Sequence, residues 1–170
     1  MNVEELVTQY EKGERDFSNA KLNWSNLRRS DLSEANLSGA SLMECDLSDA
    51  DLTRVDLSGA NLLGTNLTRA NLAGANLSKA ILHGVNLRDA NLSGIDARKV
   101  NLSAADLNGA DLSQADLRQA DLGRANLTRV NLGQAHIAGA YLREAIVTVE
   151  QLAQAQSLEG ATLPDGTVHK

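Results

Sequence analysis

The chain repeats a five-residue unit without a break over most of its length. Between Arg15 and Glu144 there are 26 consecutive units, and the central residue is Leu in 23 of them. The residue two positions earlier is Ala in 16 units, and the residue between the two is Asn or Asp in 21. The last two positions of each unit are polar, small or charged. Self-similarity at a fixed short period predicts a solenoid, in which each unit buries its apolar side only by stacking on its neighbours.

A period of five fits neither an α-helix nor a flat strand. Five residues advance a helix by about 500°, which spreads the leucines around its whole circumference. Successive side chains of a flat strand alternate between faces, so leucines five apart point to opposite sides. A chain that turns a corner every five residues places all of the leucines inside. The sequence therefore predicts a coil with a central column that includes the following residues: Leu37, Leu52, Leu72, Leu92, Leu112 and Leu132.

The exceptions to the pattern indicate how many units complete one coil. Five units lack Asn or Asp before the central residue, and four of these positions are separated by multiples of 20: Lys21, Ser41, Ile81 and Tyr141. A second set at the same spacing alternates in charge and predicts a ladder of ion pairs: Arg29, Asp49, Arg69 and Asp89. Both sets favour four sides per coil. About 6.5 coils at a strand spacing of 4.8 Å give a rod roughly 31 Å long.

Units such as Ala35-Asn36-Leu37 and Ala110-Asp111-Leu112 have the tandem form A-(D/N)-L-x-x. In this form the chain resembles the pentapeptide repeat proteins over residues 15–144. The resemblance implies an all-β solenoid, namely a right-handed quadrilateral parallel β-helix. It implies much less about function, because many members of that family have no assigned activity.

Both ends of the chain are predicted to form caps. Residues 1–14 are expected to contain a short helix, which Asn2 caps together with Glu5 and which stops near Gly13. Thr148 and Gln151 repeat the capping pattern near the other end. The expected organisation is a single domain with an N-terminal cap at 1–14, repeats at 15–146, and a C-terminal cap and tail at 147–170. Because open coils expose backbone groups that invite end-to-end pairing, two capped ends favour a monomer.

Two places in the predicted interior depart from the Leu/Ala pattern. Cys45 occupies an inward position for a small residue, and we expect it to be buried and reduced. Ala97 interrupts the Leu column, while Ile95 and Val100 stand where alanine is usual. This combination predicts an exchange of volume that keeps the core dense. A cavity or ligand pocket at Ala97 is the alternative.

The segment Met1–Tyr10 is acidic and has no continuous apolar run. We therefore expect neither a signal peptide nor a membrane span. The expected location is the cytoplasm.

The sequence shows no catalytic arrangement, and we expect no enzymatic activity, cofactor or metal. A transition-metal site needs three or four converging ligands, and the chain has three histidines. His136 is predicted to stack one coil above Asp116, where a surface hydrogen bond is expected and a weak metal site is the alternative. No serine lies in a nucleophile elbow. No glycine-rich unit leads into the Lys-Ser/Thr pair of a phosphate loop.

Charge bears on one activity that the family resemblance implies, the inhibition of DNA gyrase by acidic rods that imitate duplex DNA. The net charge is −6, but the repeat region has 15 acidic and 14 basic side chains, and residues 1–14 and 145–170 contribute −3 and −2. Duplex DNA carries one charge per about 1.7 Å, so a mimic of this length needs on the order of 18. Gyrase is therefore disfavoured as a partner. Direct nucleic-acid binding is not expected either, because no basic patch dominates.

One side of the predicted coil departs from the polar outward pattern. Its inward residues include Leu22, Leu42, Leu62 and Leu82. Its outward residues include five large side chains: Trp24, Met43, Leu63, Ile81 and His83. Contiguous exposed apolar groups often mark a partner site, and Trp is frequent at binding hot spots.

Two interpretations of this side are open. It binds an unknown protein partner, or Trp24 covers the junction with the N-terminal helix and the other side chains are tolerated singly. The predicted function is a non-enzymatic, rigid protein–protein interaction module or structural spacer. A gyrase-directed DNA mimic and a weak metal or small-ligand binder are the alternatives.

Overall fold

The five-residue units form a solenoid with a single buried column. The computed structural model describes residues 1–170 and buries the central residue of every unit from Phe17 to Leu142. Parallel bridges join residues 20 apart, from Asp16 with Asn36 through Asn126 with Ile146. Four units therefore complete one coil, as the spacing of the exceptional positions predicts.

The four sides of the coil are called faces 1 to 4 in chain order. Face 1 begins with the central residue Phe17, face 2 with Leu22, face 3 with Leu27 and face 4 with Leu32, and each continues in steps of 20 residues. Faces 2 and 4 lie on opposite sides of the rod. Residues 20 apart lie about 4.8 Å apart along its axis.

Each unit ends in a tight turn. The N–H of the residue after the unit donates to the carbonyl of the central residue, as from Ala20 to Phe17 (3.1 Å) and from Ala75 to Leu72 (2.9 Å). The fifth residue has a positive φ in all 26 units, and 18 of these residues are not glycine. A positive φ at the third position of a turn is what a type II turn requires. The repeat thus holds many side chains in a backbone region that favours glycine.

The sides of the coil are too short to form named strands. The residue before the central one pairs once with the coil below and once with the coil above, so the faces are columns of isolated parallel bridges. The structure contains two helices and no extended strand. The expectation of an all-β chain is therefore met as a solenoid and not as a conventional sheet, because the turn takes up most of each unit.

Asn and Asp in the second position of the unit hold the turns. In all 21 such units the side-chain Oδ1 accepts the backbone N–H two residues later, at 2.9–3.3 Å. Many of these side chains also bond along the rod, as Asn76 Nδ2 does to Asp56 Oδ1 (3.1 Å). The predicted local role of these residues is confirmed.

Helix α1, Val3–Glu11, closes the first coil. The predicted capping box is present: the Glu5 N–H donates to Asn2 Oδ1 (2.8 Å) and the Asn2 N–H donates to Glu5 Oε2 (2.9 Å). Leu6 is fully buried at the open end of the core. The Tyr10 hydroxyl donates to the Ser33 carbonyl on face 4 (2.9 Å), which fixes the end of the helix on the coil.

Helix α2, Val149–Leu152, lies near the other end and begins with the predicted Thr148 and Gln151 capping box. Its buried Leu152 continues the inward column of face 4. Beyond α2 the bridges join residues 21 apart, as Tyr141 with Thr162. An antiparallel bridge between Thr162 and Val168 then folds the tail over the last coil.

The two departures inside the core are both buried. Residue Cys45 is 2% exposed, its thiol donates to the Leu22 carbonyl (2.9 Å), and burial raises the pKa of that thiol. Ile95, Ala97 and Val100 are each 1% exposed or less. The two larger side chains thus lie in the core beside the missing leucine, as the volume-exchange interpretation predicts.

Candidate functional site

Face 2 gathers the exposed apolar side chains of the repeat region. Four large apolar residues of the 26 units are exposed, and all four belong to this face: Trp24 (73%), Leu63 (43%), Ile81 (46%) and Tyr141 (42%). The other exposed large apolar residues lie before or after the units: Met1, Ile146, Val149 and Val168. One of four equivalent faces is therefore chemically different from the rest.

The structure brings the five residues predicted from sequence onto this face. Trp24 lies in the first coil, half-buried Met43 in the second and Leu63 in the third, while Ile81 and His83 share the fourth. With an exposure of 73%, Trp24 is not covered by α1. The interpretation that Trp24 seals the junction with the helix is therefore wrong, since Leu6 and Tyr10 make that contact instead.

Tyr141 extends the same face and was not among the predicted site residues. Its ring lies over Gly123, where a Cβ would come within 3.2 Å of the ring carbon Cε1. A shallow groove of about 500 Å³ runs beside the ring and reaches His83 and Arg143. The signal in the sequence was the missing Asn or Asp at position 141. The part played by Gly123 depends on stacking between coils, which the local pattern does not reveal.

The missing Asn and Asp residues leave backbone donors on face 2. The N–H groups of Asn23, His83 and Arg143 have no acceptor within the chain, because the side chain that accepts this bond in other units is absent. Met43 is the exception on this face, since its N–H donates to the side chain of Asn23 (3.0 Å). Face 2 therefore combines apolar groups with unused donors.

Lysines without ion pairs lie along one edge of this surface. Lys79 and Lys99 are the fifth residues of units on face 1, at the corner that leads into face 2, and Lys21 lies on face 2 itself. All three are exposed, and none lies within ion-pair distance of an acidic side chain. In the first five coils the only acidic residue on face 2 is Glu44. The apolar surface therefore has an edge with excess positive charge.

Arginines, in contrast, are mostly neutralised by neighbours. At the far end of face 2, Arg124 Nε lies 2.7 Å from Glu144 Oε2, and this contact lowers the pKa of Glu144. In the predicted ladder on face 3, Arg69 pairs with Asp49 (2.7 Å). The second partner of Asp49 is Arg28 (3.2 Å) and not the predicted Arg29, and Asp89 has no ion pair. The ladder prediction is therefore only partly right, because a long side chain reaches across one coil at an angle.

The predicted hydrogen bond between His136 and Asp116 is absent. The two residues pair through the backbone, as expected. However, Arg118 donates to both carboxylate oxygens of Asp116 (2.8 and 2.7 Å) and holds its pKa below the usual range. Arg98 lies 3.7 Å from the same carboxylate. The arginines thus offset the stacking of Asp96 on Asp116, and they, not His136, are the side-chain partners of this carboxylate.

No three His, Cys, Asp or Glu side chains are placed to hold a metal ion together. The nearest partner of His83 is the Ser103 hydroxyl, 2.8 Å from Nδ1. Neither helix has the length and apolar character needed to cross a bilayer. Chemically, face 2 offers contact area, backbone donors and positive charge.

Comparison with known proteins identifies the repeat. The family model for pentapeptide repeats matches residues 16–49, 50–89 and 86–124. The chain is 30% identical to HetL, a pentapeptide repeat protein involved in heterocyst differentiation regulation from the cyanobacterium Nostoc sp. strain PCC 7120. The match covers 99% of this chain and 100% of HetL, with a TM-score of 0.63.

A trypsin-treated form of QnrB1, a plasmid-mediated fluoroquinolone resistance protein, is 20% identical. This match covers 89% of the chain and 86% of QnrB1, with a TM-score of 0.64. At that identity the likeness concerns the fold alone. A comparison with curated proteins found no match. The family match and the likeness to HetL agree with the solenoid described above, and the chain belongs to the pentapeptide repeat family.

Proposed function

We propose that this protein is a non-enzymatic, rigid interaction module and that face 2 contacts its partner protein. We infer a cytoplasmic monomer whose coil is right-handed, as the family fold implies. The 26 units, at four per coil, correspond to about 6.5 turns. The observation that carries the proposal is the confinement of every exposed large apolar residue of the repeat units to one face. Exposed apolar groups that adjoin one another are typical of interaction sites.

The apolar residues of face 2 stand at positions where the repeat favours other residues. Trp24 has a φ of 59°, in the region that favours glycine, and gains little burial in return. Ile81 and Tyr141 replace Asn or Asp and forgo a hydrogen bond to the turn. Apolar residues at these positions lower the stability of the fold, and a role in binding explains why they are present.

The likeness to HetL supports the same class of function. HetL is involved in the regulation of heterocyst differentiation. A regulatory role suits a protein that acts by contact, and the chain resembles HetL over its whole length.

A DNA mimic directed at gyrase is the less favoured candidate. The repeat region is almost balanced, with 15 acidic and 14 basic side chains, and unpaired lysines lie on face 2 and at its edge. A DNA-like rod needs a continuous row of negative charge. A supercoiling assay provides the test, and inhibition of gyrase at low micromolar protein would favour mimicry over the proposed role.

Affinity capture from an extract of the source cell tests the proposal. The wild-type protein is compared with the double variant Trp24→Ala plus Leu63→Ser, which removes two exposed apolar groups from face 2. The matched control is Ser113→Ala plus Gln114→Ala, which changes the same two turn positions on opposite face 4.

We expect the face 2 variant to lose the captured partner and the control to retain it. Circular dichroism should show the same fold for all three proteins. If the partner binds the face 2 variant as well as the wild type, the proposed interface is incorrect.

A further inference from the structure

We propose that face 2 binds an acidic amphipathic helix of the partner protein. This inference rests on the proposed function and adds the chemistry of the partner. It draws on three independent properties of the face: the spacing of its apolar groups, the unpaired lysines along its edge, and its free backbone donors.

The apolar groups of face 2 match the spacing of a helix that lies along the rod. Trp24, Met43, Leu63 and Ile81 lie in four successive coils, so they step by about 4.8 Å along the axis. Apolar residues at alternating steps of three and four along a helix recur about every 5.3 Å. An extended strand repeats one face at about 6.7 Å, which does not fit the coils.

The length of the face sets the length of the helix. Trp24 and Tyr141 are separated by six coil steps, or about 29 Å. A helix of about 19 residues spans that distance. A helix of this length presents several apolar anchors to the surface, as helices that bind in grooves do.

The charge along the face indicates an acidic partner. Lys21, Lys79 and Lys99 are exposed and have no ion-pair partner. The acids of face 2 are Glu44, Asp121 and Glu144, and Glu144 is offset by its ion pair with Arg124. The chain as a whole has a net charge of −6, so this edge differs in sign from the molecule. Complementary charge on the partner steers the encounter and fixes its orientation.

The backbone donors of face 2 also favour a partner rich in acceptors. The N–H groups of His83 and Arg143 are unused on two exposed residues at the rim of the groove beside Tyr141. In other units an Asn or Asp side chain accepts the equivalent N–H. Glu or Asp carboxylates of a bound helix are the same kind of acceptor, and a hydrogen bond to a charged group is stronger than one between neutral groups.

Titration with a designed peptide tests the proposal on the full chain. The probe is a blocked peptide of about 20 residues, with Leu at the two inward heptad positions and Glu, Ala and Gln elsewhere. A second peptide carries Lys in place of every Glu. Because Trp24 is the only tryptophan, its fluorescence reports contact with face 2 directly.

We expect the acidic peptide to shift the Trp24 emission to shorter wavelength and the lysine peptide to have no effect. The variant Lys79→Glu plus Lys99→Glu should bind the acidic peptide about tenfold more weakly, because two attractive contacts become repulsive. The matched control is Arg29→Glu plus Arg129→Glu, which makes the same change in net charge at the same turn position on face 3. It should bind like the wild type.

Three outcomes would overturn the proposal: no response to the acidic peptide, equal binding of the lysine peptide, or equal loss in the Arg29 and Arg129 control. Binding to vesicles of phosphatidylserine, with no response to the peptide, would instead assign face 2 to a membrane surface. The capture experiment with Trp24→Ala plus Leu63→Ser separates the two claims. Loss of the partner there, together with no peptide binding, keeps the interface and rejects the acidic helix.

Discussion

At the scale of single residues, the repeat assigns each position one physical task. Asn and Asp hold the turn, the central Leu and the preceding Ala fill the core, and the fifth residue adopts a positive φ. A residue that departs from its task therefore has a measurable consequence for stability. Face 2 departs most often, and face 1 departs inside the core at Ala97.

Restoring the pattern at Ile81 tests this view of the turns. In Ile81→Asn the new side chain can accept the free N–H of His83, and this bond should offset the loss of a half-exposed Ile. We expect the free energy of unfolding to be unchanged or higher by up to about 1 kcal/mol. Denaturant unfolding measures it.

Asn86→Ala on face 3 is the matched control, since it removes only the kind of bond that Ile81→Asn adds. The Asn86 side chain accepts the Arg88 N–H (3.2 Å). Its loss should cost about 1 kcal/mol. A clear loss of stability in Ile81→Asn would show that the apolar side chain, and not the hydrogen bond, holds that turn.

Substitutions in the core should change stability in two different ways, which denaturant unfolding measures. Leu72→Ala removes a fully buried side chain and should lower the free energy of unfolding by about 2–5 kcal/mol.

Ala97→Leu adds volume beside the buried Ile95 and Val100 and should lower the free energy of unfolding by about 1–3 kcal/mol. Because volume is exchanged among these three sites, adding Ile95→Ala and Val100→Ala to Ala97→Leu should recover most of that loss. Equal stability of the single and triple variants would contradict the exchange.

At the scale of elements, local rules and contacts between coils differ in how well sequence predicts them. Both capping boxes and the coil of four units follow from neighbouring residues and from the period, and both were predictable. The sequence could not predict that Asp49 pairs with Arg28 and not Arg29, or that Asp116 pairs with Arg118 and not His136. Long side chains reach their partners in directions that the repeat spacing does not specify. The ring of Tyr141 over Gly123 belongs to the same class.

The acidic turns predict how stability depends on pH. Hydrogen bonds from Ser33, Ser48 and Arg118 lower the pKa values of Asp31, Asp46 and Asp116. A lowered pKa in the folded state means that the stabilisation is fully present above the unfolded value of about 3.9. It is lost progressively as pH falls from there through the lower pKa of the folded state.

Thermal unfolding followed by circular dichroism should therefore give a lower midpoint at pH 3 than at pH 6. Asp46→Asn retains the acceptor without the carboxylate, so its midpoint should fall less. Equal midpoints of the wild type at the two pH values would show that these carboxylates contribute nothing.

We expect removal of the C-terminal tail to make the protein self-associate. The His169 N–H donates to the Ala161 carbonyl and the Gly160 N–H donates to the His169 carbonyl, so the tail occupies the edge where another coil would pair. Removing residues 165–170 exposes that edge, and unpaired edges associate. Light scattering after size exclusion should show a monomer for the full chain and larger species for the truncated one. Deleting only Lys170, which makes no hydrogen bond, is the control.

At the scale of the whole molecule, the solenoid is a continuous scaffold with one chemically distinct face. Sequence could predict the rod, its buried column and most of face 2, because apolar residues at a spacing of 20 stand out against a polar pattern. It could not predict the groove at Tyr141, nor that α1 leaves Trp24 exposed, because both depend on how separate coils and the cap pack together.

Whether face 2 serves binding is tested most directly by a variant that returns this face to the repeat pattern: Trp24→Gly, Leu63→Ser, Ile81→Asn and Tyr141→Asn. Its thermal midpoint and its capture of the partner are measured side by side with those of the wild type. We expect an equal or higher midpoint together with loss of the partner, since in the proposed role these residues serve binding and not folding. Retention of the partner by a folded variant would contradict that role.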